Sequence, residues 1–269
     1  MDQRLDNIAI KNLMTVYLFH SNWFELIKKK KIFILFDFDG TLVPLMKNPD
    51  DCYLPDHIKE DFNQIKKKAK IGIISGRDLE DLKKRISVEG IYYSGSHGLQ
   101  IEGPDIKYIN SDAERLKSVL DEVYTKVKNL SYKISGTIVE RKSLSFALHY
   151  RQVDVKLRRE LKNLFFGVLS SFGDRNIKIL KGKMVFEVLP AIDWNKGKTV
   201  SFILEKSGRK NLPIFVGDDI TDETVFKEIK DEGLTVRIGY SKKTLAKYFL
   251  KNQSEVYKFL KNIREALNV

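Results

Sequence analysis

Residues 31–36, KIFILF, form an apolar run behind a single lysine and pass directly into Asp37-Phe38-Asp39-Gly40-Thr41. No other feature restricts the fold of this chain so much. A strand with one wet face alternates apolar and polar side chains. A strand that is apolar throughout is covered on both faces, which is the condition of a strand in a parallel sheet flanked by helices. In an open sheet of that kind ligands bind outside the carboxyl ends of the strands. The acidic cluster therefore falls where chemistry is done.

The same pattern recurs. Residues 56–69 have the spacing of an amphipathic helix, and the apolar run Ile71–Ile74 ends at Ser75-Gly76-Arg77. Residues 78–86 read as helix, and Ile91–Tyr93 as a short strand ending at Ser94-Gly95-Ser96-His97-Gly98. Strand, helix, strand in this order predicts a doubly wound parallel sheet.

Between about 104 and 190 the period changes. Helical spacing covers 112–128 and 154–172. Alternating runs cover Lys133–Glu140, Ser143–Tyr150, Ile177–Leu180 and Met184–Leu189, the last two around a hairpin-like Lys181-Gly182-Lys183. This predicts an antiparallel sheet with two helices. The first pattern resumes with a helix over 196–207, a strand Pro213–Val216 ending at Gly217-Asp218-Asp219, a helix over 221–230 and a strand Thr235–Ile238; 242–268 reads as helix. Residues 5–30 have roughly helical spacing. The expected architecture is thus α/β: a Rossmann-like doubly wound parallel core formed by 31–103 and 191–269, an inserted α/β cap over 104–190, and an N-terminal helical extension over 1–30.

The chain carries 48 Lys and Arg against 36 Asp and Glu, a formal charge of +12. Such a surplus attracts anions, but the basic residues are scattered and no nucleic-acid-binding signature accompanies them. The charge leaves nucleic acid, an anionic membrane and a small phosphorylated substrate as candidates, with most of the surplus read as solvated surface. With the motifs that follow, the expected partner is a small phosphorylated substrate, with no nucleic acid and no membrane. No stretch reaches the roughly 18 apolar residues of a membrane span. The single cysteine, Cys52, excludes an internal disulfide and is expected to be inert, which suits a reducing, cytoplasmic setting. Trp23 and Trp194 are expected in packing.

Four polar clusters follow predicted strands or open a helix behind one: Asp37 to Thr41, Ser75 to Arg77, Lys196, and Gly217-Asp218-Asp219-Ile220-Thr221-Asp222-Glu223. Asp37, Asp39, Asp218 and Asp222 would make an all-oxygen site of the kind that hard cations such as Mg²⁺ prefer. A carboxylate becomes a usable nucleophile toward phosphate when a cation offsets the phosphate charge. Lys196 and Ser75 suit phosphate oxygens, with Thr41 and Gly76 counted beside them, and Gly40 allows close approach of backbone to phosphate. Asp219 and Glu223 are expected to support or cap rather than to ligate.

Asp37-x-Asp39-Gly-Thr-Leu, the serine at the second strand end, the lysine and Gly-Asp-Asp-x-Thr-Asp, in this order, resemble the haloacid dehalogenase superfamily of phosphatases. The resemblance implies Asp37 as nucleophile, Asp39 as acid and then base, and Mg²⁺ held by Asp37, the backbone carbonyl of Asp39, and Asp218, with Asp222 aiding. It implies phosphate contacts from Ser75 and Lys196. Ser94 to Leu99, Glu140-Arg141-Lys142, His149-Tyr150-Arg151, Lys183-x-x-x-Glu187-Val188-x-Pro190, Asn195-Lys196-Gly197 and the 217–223 segment look like the trehalose-6-phosphate phosphatase branch, over about residues 31 to 240. That branch implies sugar contacts from Glu140, Lys142 and Glu187 in the cap, with Arg77, His97, Gly98 and Arg151 nearby, and a functional link to a trehalose-phosphate synthase. A monomer is expected. The loop before His97 reads Ser-Gly-Ser where the branch more often has Asn. The alternatives are a phosphatase for another glycosyl phosphate (sucrose, glucosylglycerol or mannosylglycerate phosphate) and a non-catalytic sugar-phosphate sensor, which would lack the nucleophile.

Overall fold

The computed structural model describes residues 15–46, 49–173, 176–182, 184–208 and 210–269. In chain order its elements are β1 (Val16–Tyr17), α1 (Trp23–Ile27), β2 (Ile32–Phe36), α2 (Asp56–Ile65), β3 (Lys70–Ile74), α3 (Leu79–Ile86), β4 (Tyr92–Gly95), β5 (Gln100–Gly103) and β6 (Ile106–Ile109). There follow α4 (Ser111–Arg115), α5 (Lys117–Ser131), β7 (Ile138–Arg141), β8 (Phe146–His149), α6 (Arg158–Ser170), β9 (Ile177–Gly182) and β10 (Val185–Pro190). The chain closes with α7 (Lys196–Lys206), β11 (Leu212–Gly217), α8 (Glu223–Ile229), β12 (Leu234–Ile238), β13 (Tyr248–Leu250) and α9 (Ser254–Leu267).

Two sheets result. The large one has the order β1-β13-β12-β11-β2-β3-β4-β5-β6. It is parallel from β1 to β4, and β5 and β6 add antiparallel. The apolar run of β2 lies at its centre, all five residues buried. Ile32, Ile34 and Phe36 face a core shared with α2, α3 and α9, while Phe33 and Leu35 face α7 and α8. This two-sided burial is the reason the strand has no polar position.

The small sheet, β7-β8-β10-β9, is antiparallel throughout. Its own core takes Val139, Phe146, Leu148, Phe186 and Val188 on one face against Val123, Val127, Leu161 and Phe165 of α5 and α6. The period of two along each strand leaves Glu140, Ala147 and Glu187 for the opposite face.

Three sequence expectations fail locally. The stretch of residues 5–30 that falls within the described residues does not open on a helix: Val16–Tyr17 pairs in parallel with Tyr248–Phe249 and extends the large sheet, and helix is confined to a 3-10 turn at Leu18–His20 and to α1, Trp23–Ile27. Residues 5–14 lie outside the described residues, as does Lys183. The tail is not helical from 242, because Tyr248–Leu250 pairs with β12 before α9 begins. After Gly98 the chain turns back as β5 and β6 rather than entering the second pattern directly. All of these strands are two to four residues long, too short to show a period of their own.

Candidate active site

Asp37 follows β2 and continues its ladder, its N–H donating to the Val216 carbonyl at 2.9 Å. Lys196 opens α7, whose first turn is capped by Asn195 accepting the Lys198 N–H at 3.0 Å. The buried Lys196 Nζ lies 3.0 Å from Asp37 Oδ2 and 2.8 Å from Asp222 Oδ1. The other oxygen of Asp222 accepts the N–H groups of Asp218 and Asp219, both at 2.9 Å. Thr41 donates its hydroxyl to Asp218 Oδ1 at 3.1 Å.

Two glycines make room for this. Gly40 has φ +86°, and a Cβ there would lie 2.3 Å from Asp218 Oδ2. A Cβ on Gly217 would lie 2.5 Å from the Asp222 carboxyl carbon. Both positions therefore demand glycine, one for conformation as well as space.

Oxygens of Asp37, Asp218 and Asp222 lie within 4.8 Å of one another. Three carboxylates share one ammonium. Burial raises the proton affinity of Asp37 well above the carboxylate range; Lys196 opposes this and Asp222 and Asp218 add to it. Asp218 is pushed up to about 6, first by burial and then by Asp222. Burial alone would pull Lys196 down, but Asp222 and Asp37 outweigh it and keep the amine charged. The site is short of positive charge and offers oxygen donors only, which fits a hard divalent cation. Asp222, committed to Lys196 and two N–H groups, contributes charge and orientation there.

Asp39 is turned elsewhere. Its two oxygens take Arg77 Nε and Nη2, each at 2.7 Å, so its side chain is not one of the clustered carboxylates. Ser75 is buried and accepts the Arg77 N–H at 3.1 Å. The loop after β3 is zipped to the loop after β4: Ser96 N–H donates to the Arg77 carbonyl at 2.6 Å and His97 N–H to that of Ser75 at 3.0 Å. His97 adopts φ 57° and lays its ring on Gly76, where a Cβ would come 2.6 Å from it. Gly98 packs on Thr199 and its carbonyl accepts Trp194 Nε1 at 2.9 Å, so Gly98 fixes the backbone.

The small sheet brings the remaining residues together. Glu140 and Glu187 are both registered opposite Ala147, one on each neighbouring strand. Glu187 takes Lys142 Nζ at 2.6 Å, His97 Nε2 at 2.8 Å and the Ser145 hydroxyl at 3.3 Å. Burial would raise the proton affinity of Glu187, but His97 and Lys142 overcome this and hold it far below the usual range. Glu140 pairs with His149 at 2.9 Å, a bond that lowers its proton affinity against opposing burial. Arg151 lies exposed two residues past β8, away from the Lys142–Glu187 end of the strands, its carbonyl accepting from Arg158.

Sequence reasoning missed Asp78 and Ser143. Asp78 caps α3 through Glu80 and also accepts the Ser143 N–H at 2.7 Å, which ties the two sheets' loops together. An Asp before a helical run announces the cap, but nothing announces the second bond.

A family model for trehalose-phosphatase matches residues 35–254. The chain belongs to the trehalose-phosphatase family. It is a phosphoric monoester hydrolase on a haloacid dehalogenase-type fold. Probable trehalose-phosphate phosphatase 3 of Oryza sativa subsp. japonica is 33% identical over 267 aligned residues, covering 90% of this chain and 72% of that protein. Trehalose-phosphate phosphatase B of Arabidopsis thaliana is 31% identical over 254, covering 88% and 67%. Among solved structures, a trehalose-6-phosphate phosphatase related protein superposes with TM-score 0.76 at 26% identity, covering 87% of this chain and 97% of that one. The C-terminal domain of the C. albicans trehalose-6-phosphate phosphatase shares the fold at TM-score 0.76 and 23% identity, covering 95% and 98%. No helix among the described residues is long and apolar enough to cross a membrane.

Proposed function

We propose that this enzyme hydrolyses trehalose 6-phosphate to trehalose and phosphate through an aspartyl-phosphate on Asp37, with Mg²⁺ as its cation. The carrying observation is the buried Asp37–Lys196–Asp222 line with Asp218 beside it. Asp37 Oδ attacks phosphorus as the bond to the sugar oxygen breaks, and Asp39 delivers its proton to that oxygen. Asp39, now a carboxylate, takes a proton from the water that attacks the phosphorus; phosphate leaves and Asp37 is restored. Lys196, Ser75, Thr41 and the backbone at Gly76 are the groups assigned to phosphate oxygens. Asp37, the Asp39 carbonyl and Asp218 would hold the Mg²⁺, which supplies positive charge where two anions must meet.

The unit built from α5, α6 and the sheet of β7 to β10 acts as the lid, whereas β6, inside the expected 104–190 segment, belongs to the large sheet. The polar row Glu140, Lys142 and Glu187 suits sugar hydroxyls, since charged partners strengthen such hydrogen bonds. Arg77 and His97 border the same cleft. The single buried cysteine suits the cytoplasm. Phosphate release from trehalose 6-phosphate, measured with and without Mg²⁺ for wild type and Asp37→Asn, tests the reading. Wild type should turn over only with the metal, and the near-isosteric variant should lose essentially all turnover while folding. A preference for sucrose, glucosylglycerol or mannosylglycerate phosphate in a substrate panel would remove trehalose 6-phosphate.

A further inference from the structure

Two hydrogen bonds from the loop between β7 and β8 land on the segment that follows β3. Lys142 Nζ donates to the Gly76 carbonyl at 3.1 Å, and the Ser143 N–H donates to Asp78 Oδ2 at 2.7 Å. They bracket one residue, Arg77. Its guanidinium lies 5.5 Å from the Phe38 ring centroid and holds both oxygens of Asp39. Asp81, one turn along α3, lies 3.3 Å from Arg77 and 2.7 Å from Arg85, and Arg85 lies 3.0 Å from Asp50. Asp81 and Arg85, four apart, share one side of α3, and Arg77 reaches Asp81 from the segment ahead of the helix cap. Arg77 is thus anchored by a line of alternating charge, and its fork is closed on Asp39.

An acid that protonates a departing oxygen must aim one of its own oxygens at it. In a two-pronged guanidinium pair both oxygens face the guanidinium, and Asp39 stands outside the Asp37–Asp218–Asp222 cluster. We propose that Arg77 is a positioning residue that parks Asp39 while the lid is empty, and that sugar binding in the lid opens the fork through Gly76 and Asp78. The inference rests on the phosphatase reading above. Lys142 joins Gly76 to Glu187, and these are the groups offered to the sugar. A hydroxyl that takes Lys142 or Glu187 competes with the Lys142–Gly76 bond, so occupancy of the lid reaches the neighbours of Arg77. Small phosphate esters that meet Asp37 without reaching the lid leave Asp39 parked and are turned over slowly.

The test compares trehalose 6-phosphate with p-nitrophenyl phosphate, with Mg²⁺, in wild type, Arg77→Gln and Asp78→Asn, each checked by circular dichroism and thermal unfolding. p-Nitrophenolate leaves without a proton, so for that ester Asp39 matters only as the base toward water. Asn at 78 keeps an oxygen to cap α3 and loses the acceptor for Ser143. Arg77→Gln should raise p-nitrophenyl phosphate turnover about fivefold and lower that of trehalose 6-phosphate, so that their ratio shifts by about tenfold or more. Asp78→Asn should lower trehalose 6-phosphate turnover about threefold and leave p-nitrophenyl phosphate unchanged. Both esters falling in proportion in either variant, or neither ratio moving, overturns the gate while the phosphatase reading stands. A wild type inactive on trehalose 6-phosphate overturns both.

Discussion

Lys196 lies between Asp37 and Asp222 with 3% of its side chain exposed. Replacing it by Met leaves two buried carboxylates facing each other. Breaking a buried pair of this kind costs about 3–5 kcal/mol, so metal-free Lys196→Met should show a denaturation midpoint lowered accordingly, and its turnover should be lost. A variant as stable as wild type would mean that Asp37 and Asp222 do not depend on the amine. Asp218 gives a pH dependence. Its folded value of about 6 lies above the ordinary 3.8. A raised carboxyl favours the folded state in its protonated form, so the metal-free protein loses stability as pH climbs through about 4 to 6 and the loss is complete above that window. A bound cation reverses the effect. Mg²⁺ should therefore raise the melting temperature more at about pH 7.5 than at about pH 5 in differential scanning fluorimetry. Equal shifts at both would contradict it.

At the scale of elements, β7, β8 and β10 divide their residues between two faces, and the polar face depends on one small side chain. Ala147 separates Glu140 from Glu187 in register. Leu at 147 would fill that gap. Overpacking costs about 1–3 kcal/mol, which a domain with its own aromatic core at Phe146, Phe165 and Phe186 should tolerate. KM for trehalose 6-phosphate should rise about tenfold, equivalent to about 1.4 kcal/mol. An unchanged KM would show that the sugar does not use this row. The alternation of Ile138 to Arg141 and Phe146 to His149 was legible in the sequence. Which polar residues meet was not, because Lys142 and His97 reach Glu187 from distant positions in the chain.

Over the whole molecule, the N-terminal segment is part of the main sheet. Tyr17 donates to Glu255 at 2.6 Å, and Trp23, buried, packs on Phe259 with ring centroids 5.0 Å apart. Trp23→Ala should cost about 3–5 kcal/mol and shift the urea midpoint at an unchanged slope, although the residue is remote from Asp37. A midpoint within error of wild type would show that the segment is an appendage.

The sequence by itself determined the central strand, the acidic loops behind it and the alternating strands of the second sheet. These rest on local rules: two-sided burial makes a strand apolar throughout, one-sided burial makes it alternate, and a Gly beside an Asp marks a tight approach. The short edge strands β1, β5, β6 and β13 were decided by tertiary pairing, because strands of two to four residues hold no period. So was the posture of Asp39. Its sequence position assigns it to the same strand end as Asp37, but its neighbour Arg77 enters from the next strand, 38 residues away. The direction a side chain takes is set by the charge that meets it in space.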